Sequence, residues 1–415
     1  MSGSEQLSPA EAYAAAKSRA KHAVTQEFID SFDFGFDDFQ IEACHALEDG
    51  HGVLVAAPTG AGKTVVGEFA AYFALKNGKK CFYTTPIKAL SNQKFAEFVE
   101  RFGEEKVGLL TGDTSINSEA DILVMTTEVL RNMLYAGSNT LNNLGWVVMD
   151  EVHYLADKFR GGVWEEVLIH LMESVQVISL SATVSNAEEF GEWLNEIRGN
   201  TTVVVSEVRP IPLYQHVLIG QRLVDLFSKP GQVNPEILKL EREAMRKVHT
   251  DRNRRERFGQ NESRLSRADI IEKLNRENLL PAITFIFSRA GCDAAVNQCL
   301  NAGLRLTNSE ERAEITKTAL YYTQNLAEED LAVLGFDQWL SALERGIAAH
   351  HAGLLPSFKE AIEDLFKRGF IKAVFATETL ALGINMPART VVLEKLTKWN
   401  GEAHVPITPG EYTQL

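Results

Sequence analysis

Cysteine is scarce in this chain of 415 residues: the four present, Cys44, Cys81, Cys292 and Cys299, form no C-x-x-C pair and have no histidines at zinc spacing. That pattern excludes a disulfide framework and a metal knuckle, and it leaves the four as reduced core residues. Long apolar runs are missing too. Runs such as Ile122–Met125 and Trp146–Met149 suit buried strands, and they fall far short of the roughly 20 residues a membrane span needs. The start, MSGSEQLSPAEAY, lacks the apolar core of a signal peptide, so a cytoplasmic protein without a membrane partner is expected. Nor is there a basic excess: 42 Lys and Arg stand against 56 Asp and Glu, a net charge of −14. This argues against a protein that coats a polymer by bulk charge. A local groove of lysines, arginines and backbone amides can still hold nucleic acid.

What is present begins with size. A chain of 415 residues, 45% hydrophobic, can bury two ordinary cores, so two domains or a little more are expected. The chain is organised around VLVAAPTGAGKTVVGEF, Val53 to Phe69, where an apolar strand, a small-residue loop and a helical pattern follow without a break. Ala57 to Thr64 match the phosphate-loop pattern G-x-x-x-x-G-K-[ST], with Ala57 in place of the first glycine. In such a loop Thr59, Gly60, Ala61 and Gly62 wrap backbone N–H groups around a polyphosphate, and the following helix adds the positive end of its dipole. Lys63 supplies a point charge for the β- and γ-phosphates, and Thr64 is placed to give its hydroxyl to Mg²⁺. ATP with Mg²⁺ is the expected ligand. The plainer alternative is a strand-to-helix turn that merely contains glycine.

Upstream, SFDFGFDDFQIEACHAL puts Phe34 and Gln40 before an amphipathic helix. Such phenylalanines often pack inward. Beside a phosphate loop, however, a glutamine amide suits the edge of adenine and an aromatic ring its face. Downstream, KKCFYTTPIKALSNQK repeats strand, loop and helix, with Pro86 and Lys88 in the loop. VGLLTGD ends in Gly112 and Asp113, and DILVMTTEVL runs from strand into helix at Thr127. In a doubly wound sheet these loops share the carboxyl edge where ligands bind. Pro86, Lys88, Gly112 and Thr127 then line a phosphate-tracking surface, or are ordinary turns. LGWVVMDEVHYL ends a strand in Asp150, Glu151 and His153, 87 residues beyond Lys63. With a phosphate loop present, Asp150 is suited to the nucleotide's Mg²⁺ and Glu151 to orienting and deprotonating water. His153 is placed to couple that pair to the next strand, VQVISLSATV, which ends at Ser181 and Thr183.

APTGAGKT, TTPIKALSNQK, TTEVL, DEVH and SAT stand in the order found in superfamily-two helicases. The chain resembles the Ski-like DEVH-box RNA helicases, in particular their actinobacterial HelY-type members, from about residue 30 to 415. In that family the APTGAGKT form is usual, and RGGVWEEV at Arg160 resembles the segment after DEVH. The resemblance implies that Phe34 and Gln40 read adenine, that Lys63, Thr64, Asp150 and Glu151 handle ATP and Mg²⁺, and that Ser181 and Thr183 couple hydrolysis to strand movement. It further implies two RecA-like α/β domains in tandem, each a doubly wound parallel sheet, and 3′-to-5′ movement along single-stranded RNA, with DNA left open. RNA processing or decay is the implied setting, and a monomer the expected state.

From the sequence, residues 1–28 are expected as a frayed helix or a tail, 29–217 as the ATP-binding domain, 218–278 as a charged connector or insertion and 279–415 as the second domain. Residues 239–277 hold 12 Lys and Arg against 8 Asp and Glu, a net +4. This is a solvated helix or a nucleic-acid contact, poorly ordered around Arg252 to Ser266. In the second domain LLPAITFIFSRAGCD, ERGIAAHHAGLLPSF and FIKAVFATETLALGINMPARTVVLE give strands with loops at their ends. His350 and His351 lack further ligands for a closed zinc site. By the family likeness, Ser288, Arg289, Gly353 and Thr377 meet nucleic-acid backbone, whereas Gly383 and Asn385 face the nucleotide. TPGEYTQL resembles the lead-in to the family's last, arginine-bearing motif. The expectation is a piece of a longer protein that binds ATP and hydrolyses it poorly, its RNA-decay partners engaged through later domains. An ATP-gated clamp that does not unwind, a DNA helicase and a P-loop ATPase acting on protein are the alternatives.

Overall fold

The computed structural model describes residues 21–156, 161–182, 187–229, 231–243, 265–380, 386–399 and 403–415. Two compact units divide between Ile211 and Pro212. In the first, eight strands form one sheet: β1 (Gly52–Ala56), β2 (Lys80–Thr85), β3 (Val107–Leu110), β4 (Ser115–Ile116), β5 (Ile122–Thr126), β6 (Leu144–Met149), β7 (Gln176–Ser181) and β8 (Thr201–Val205). Their order is β4-β3-β5-β2-β6-β7-β1-β8. Only the β3–β4 pair is antiparallel; the remaining ladders are parallel. Parallel strands covered on both faces read as unbroken apolar runs, and β5 and β6 do.

Pleating assigns the two faces. Val53, Val55, Cys81, Tyr83, Ile122, Val124, Trp146, Val148, Ile178 and Leu180 join one core, while Leu54, Phe82, Leu123 and Val147, one residue out of phase, are completely buried on the other side. Onto the first face pack α1 (Ala23–Ile29), α2 (Asp38–Glu48), α3 (Thr64–Lys76) and α4 (Lys88–Phe102), through Phe28, Leu47, Phe69 and Phe98 among others. A side chain at Gly67 of α3 would place its Cβ 2.8 Å from the Tyr83 ring, so a glycine lets α3 lie directly against β2. The helices α5 (Thr127–Ala136), α6 (Gly161–His170) and α7 (Ala187–Arg198) complete the unit.

The second unit opens with the hairpins β9 (His216–Ile219) with β10 (Arg222–Asp225) and β11 (Phe227–Lys229) with β12 (Gln232–Val233). Helix α8 (Arg267–Arg276) precedes a parallel sheet of β13 (Ala282–Phe285), β14 (Ile347–His350), β15 (Ala373–Ala376) and β16 (Thr390–Leu393), in the order β14-β15-β13-β16. Its helices are α9 (Arg289–Asn301), α10 (Ser309–Thr323), α11 (Glu328–Val333), α12 (Phe336–Leu343) and α13 (Pro356–Lys367). Ile283, Ala348 and Val374 face α10, α12 and α13; Ala282, Ala349 and Phe375 face α8 and α9. Each unit is therefore a doubly wound α/β sheet, the RecA-like pattern. A last hairpin, β17 (Thr397–Trp399) with β18 (His404–Pro406), leads to α14 (Pro409–Gln414).

The boundaries differ from those read off the sequence. Residues 23–28, read as a frayed helix or a tail, form α1, a packed helix whose Val24 and Thr25 N–H groups donate to the Glu48 carboxylate at 3.1 and 2.9 Å. Phe28 is fully buried, in edge contact with Phe32, Phe36 and Phe69. Helix α8, assigned to the connector, buries Ala268, Ile271 and Leu274 in the second core. The arginine cluster at 252–257 lies outside the described residues. Among the described residues no helix is long and apolar enough to cross a membrane.

Candidate nucleotide site and strand-facing edge

The loop after β1 is built to turn inward. Gly60 and Gly62 both have φ of +80°, a backbone that side-chain-bearing residues rarely adopt. At Gly62 a Cβ would also fall 2.6 Å from Gln40 Nε2. Gln40 is buried, accepts from the Asp37 N–H at 2.9 Å and donates to the Ala61 and Gly62 carbonyls at 3.4 and 3.0 Å. The glutamine expected at the edge of adenine is thus occupied here as a strut beneath the loop. Phe34, expected on the base face, is 55% exposed and rests on Phe32 and Phe36. Thr59 is exposed and Ala61 buried. The Lys63 ammonium donates to the Ala57 and Pro58 carbonyls at 2.8 and 3.0 Å, and Thr64 starts α3.

Two strands away, β6 delivers the acid pair. Asp150 Oδ2 accepts from the Tyr83 hydroxyl at 2.7 Å, and its Oδ1 accepts from the Glu151 N–H at 2.9 Å. Burial and then the Asp150 charge push the Tyr83 hydroxyl well above its ordinary value, so it stays a donor. Glu151 turns the chain with φ of +53°. Burial first, and the Asp150 charge second, raise its carboxyl to about 7 against the opposing pull of Lys63 and Lys94. Its Oε2 lies 3.3 Å from His153 Nδ1. Burial, reinforced by Lys63, lowers His153 to about 4, which leaves a neutral imidazole at pH 7. Lys63 is itself lowered by burial, opposed by Glu151 and Asp150. Asp150 is buried while Lys63 and Glu151 are half-buried, so the three groups share a partly desolvated site.

The other loops of this sheet edge sort by exposure. Lys88 is exposed and pairs with Asp113 at 2.6 Å beside exposed Gly112; Pro86 is buried at the foot of the same loop. Thr127 departs from expectation: its side chain is completely buried, and its hydroxyl donates to the Thr85 carbonyl at 3.3 Å. It tethers α5 to β2 rather than offering a hydroxyl to a phosphate. Ser181 is buried where β7 lies beside β1; Thr183, Gly383 and Asn385 fall outside the described residues.

In the second unit, Phe285, His350 and Ala376 stand in register on neighbouring strands, so the following residues emerge together. Ser288 is exposed and caps α9 by accepting from the Gly291 N–H at 3.1 Å; Arg289 beside it is exposed. His351 Nδ1 accepts from the Gly353 N–H at 3.1 Å while its Nε2 contacts Asp293 at 3.1 Å. A Cβ on Gly353 would lie 3.6 Å from Arg289 Cδ. Thr377 is tied through its N–H to the His350 carbonyl at 3.3 Å. Ser288, Arg289, Gly353 and Thr377 thus gather at one edge. The histidine pair goes to two separate carboxylates, His350 to Glu363 at 2.9 Å and His351 to Asp293.

Two residues that touch the candidate nucleotide site escaped the sequence reading: Tyr83 on β2 and Lys94 on α4. Lys94 is 7% exposed, donates to Glu97 Oε2 at 2.7 Å and reaches Thr64 Oγ1 at 3.4 Å. A lysine placed among apolar positions of a helix was the available signal, because an unpaired lysine is almost never buried.

A glycine loop between strand and helix, its lysine facing two carboxylates on the next strand but one, and a second parallel sheet define a P-loop nucleotide-binding protein with tandem RecA-like domains. Residues 37–190 match the DEAD/DEAH box helicase family. Over 404 residues the chain is 60% identical to the probable helicase HelY of Mycobacterium tuberculosis, covering 95% of this chain and 45% of that protein. It is 43% identical over 432 residues to the chloroplastic RNA helicase DExH15 of Arabidopsis thaliana, covering 94% and 36%. With the antiviral helicase SKI2 of Saccharomyces cerevisiae it shares 37% identity over 438 residues, covering 93% and 34%. The chain carries a DEAD/DEAH box helicase domain and is homologous to the HelY and Ski2-like DExH helicases. It spans less than half the length of these relatives.

Proposed function

We propose that this chain is the motor core of an ATP-dependent helicase that advances 3′-to-5′ along single-stranded RNA in RNA processing or decay, in the cytoplasm. The observation that carries the reading is the Asp150–Glu151 pair set against Lys63. Residues bearing oxygen fit the metal: Thr64 and Asp150 are the donors that would hold Mg²⁺, which when bound neutralises phosphate charge. Lys63 leaves the Ala57 and Pro58 carbonyls for the β- and γ-phosphates. Glu151, poised by burial near neutrality, accepts the proton of the attacking water. Phe34 stacks on the base, while Lys88 and Gly112 in one unit and Ser288, Arg289, Gly353 and Thr377 in the other track the strand's phosphates. The name of the DExH15 relative, an RNA helicase, supports RNA as the strand, and that of the human superkiller complex protein 2 (40% identical over 401 residues) supports work within a complex.

The test is nucleotide binding and turnover with and without single strands. Wild-type protein should bind Mg²⁺–ATP and turn it over faster with RNA, more so than with DNA. Glu151→Gln should retain binding and lose about 10²-fold or more of whatever turnover the wild type shows. Near-normal turnover by the variant would remove Glu151 from its role. ATP-dependent strand binding with no displacement of a duplex by the full-length protein would make it a clamp instead.

A further inference from the structure

The two oxygen donors assigned to Mg²⁺ come from different elements, Thr64 from α3 and Asp150 from the end of β6. Each is touched by a buried donor from a single third element, the β2–α4 unit. Tyr83, fully buried on β2, donates to Asp150 Oδ2 at 2.7 Å. Lys94, on α4, reaches Thr64 Oγ1 at 3.4 Å. The unit between them is stiff: Thr85 Oγ1 lies 2.7 Å from Ser91 Oγ and donates to the Ile87 carbonyl at 3.0 Å. A carboxylate oxygen has two lone pairs and so does a threonine hydroxyl, so one donated bond to each fixes its direction and leaves a lone pair for the metal.

We propose that Tyr83 and Lys94 are positioning residues that hold Asp150 and Thr64 in the geometry Mg²⁺ requires. The inference rests on the nucleotide-site reading above. Mg²⁺ demands near-octahedral placement of its oxygens, so a donor free to rotate loses affinity out of proportion to its distance. A helix-packing role alone does not call for an ammonium at Lys94, since desolvating a charge is costly and an apolar side chain would fill the space. The ammonium does not repel the metal because Glu97 neutralises it at 2.7 Å; Glu97 is held in turn by Gln93 Nε2 at 2.7 Å. Tyr83 cannot rotate away, since α3 lies against its ring at Gly67.

The experiment titrates Mg²⁺ against binding of a fluorescent ATP analogue, with a parallel titration of the analogue in EDTA. Tyr83→Phe removes only the hydroxyl, and Lys94→Met keeps the stem while removing the charge. Each should raise the Mg²⁺ concentration for half-maximal binding by about 10-fold, the size seen when the partners of metal ligands are removed, and leave binding in EDTA unchanged. Melting curves recorded alongside separate folding from positioning: a lower melting temperature with an unmoved Mg²⁺ midpoint overturns the proposal. Asp150→Asn supplies the reference. If it shifts the midpoint and the two variants do not, the positioning role is wrong and the nucleotide site stands. If Asp150→Asn shifts nothing, the metal assignment itself fails and takes this inference with it.

Discussion

At Glu151 a left-handed backbone coincides with a half-buried carboxyl, one oxygen of which is shut off from solvent. The carboxyl titrates at about 7 in the folded protein against an ordinary 4.5, so folded protein holds a proton there that unfolded protein releases. Below the ordinary value both states are protonated and burial carries no penalty. As pH rises through the window from 4.5 to about 7 the folded state loses that advantage, and above it the buried charge is fully opposed. Glu151→Gln, neutral at every pH, should therefore melt above the wild type at pH 8, by on the order of 1–3 kcal/mol, and the gap should close by pH 5. Differential scanning calorimetry at the two pH values checks this; an equal gap at both would mean the carboxyl is not electrostatically strained. The residue types of this site were legible in the sequence because Lys63, Thr64, Asp150 and Glu151 sit in contiguous motifs. Tyr83 was not, since nothing local to it marks its partner at the end of the neighbouring strand; Lys94 carried the signal of a lysine among apolar helix positions, but nothing local to it points to Thr64 on the neighbouring helix.

Among the elements, the buried strands were readable because a parallel sheet covered on both faces leaves unbroken apolar runs. The two helices misplaced in the sequence reading, α1 and α8, are short. In α1 the N–H groups of Val24 and Thr25 are capped by Glu48, 23 and more residues away, a tertiary contact without a sequence signal. In α8 three buried residues sit among charges, which gave the segment the look of a solvated connector. At Thr127 the place at a strand end is as read from the sequence, and what the sequence did not mark is that its hydroxyl points into the sheet. The edge loops give a prediction at this scale. Lys88→Ala and Arg289→Ala should each weaken binding of single strands evenly across sequences and lower the slope of log affinity against log salt by about 1. Thr127→Val should leave the slope unchanged. Filter binding over a salt series reads both; a loss confined to one base sequence would remove these side chains from the phosphate track.

For the whole molecule, the two units have separate cores, and the segment between them makes neither helix nor strand from 206 to 215. Val208, Ile211, Leu213 and Tyr214 there are 61–83% exposed. A chain severed between Ile211 and Pro212 should yield two pieces that each melt cooperatively in circular dichroism, because the interior of neither is made by the other. A piece without a cooperative transition would show that its core is incomplete alone. The resting phosphate loop adds a last consequence. The Lys63 ammonium is satisfied by two carbonyls of its own loop, so its use by a phosphate means breaking those bonds. Only anionic oxygen carried as far as Lys63 compensates that loss. On the function proposed above, bare adenosine should leave those two bonds intact, so the loop should respond to phosphoryl content before it responds to the base.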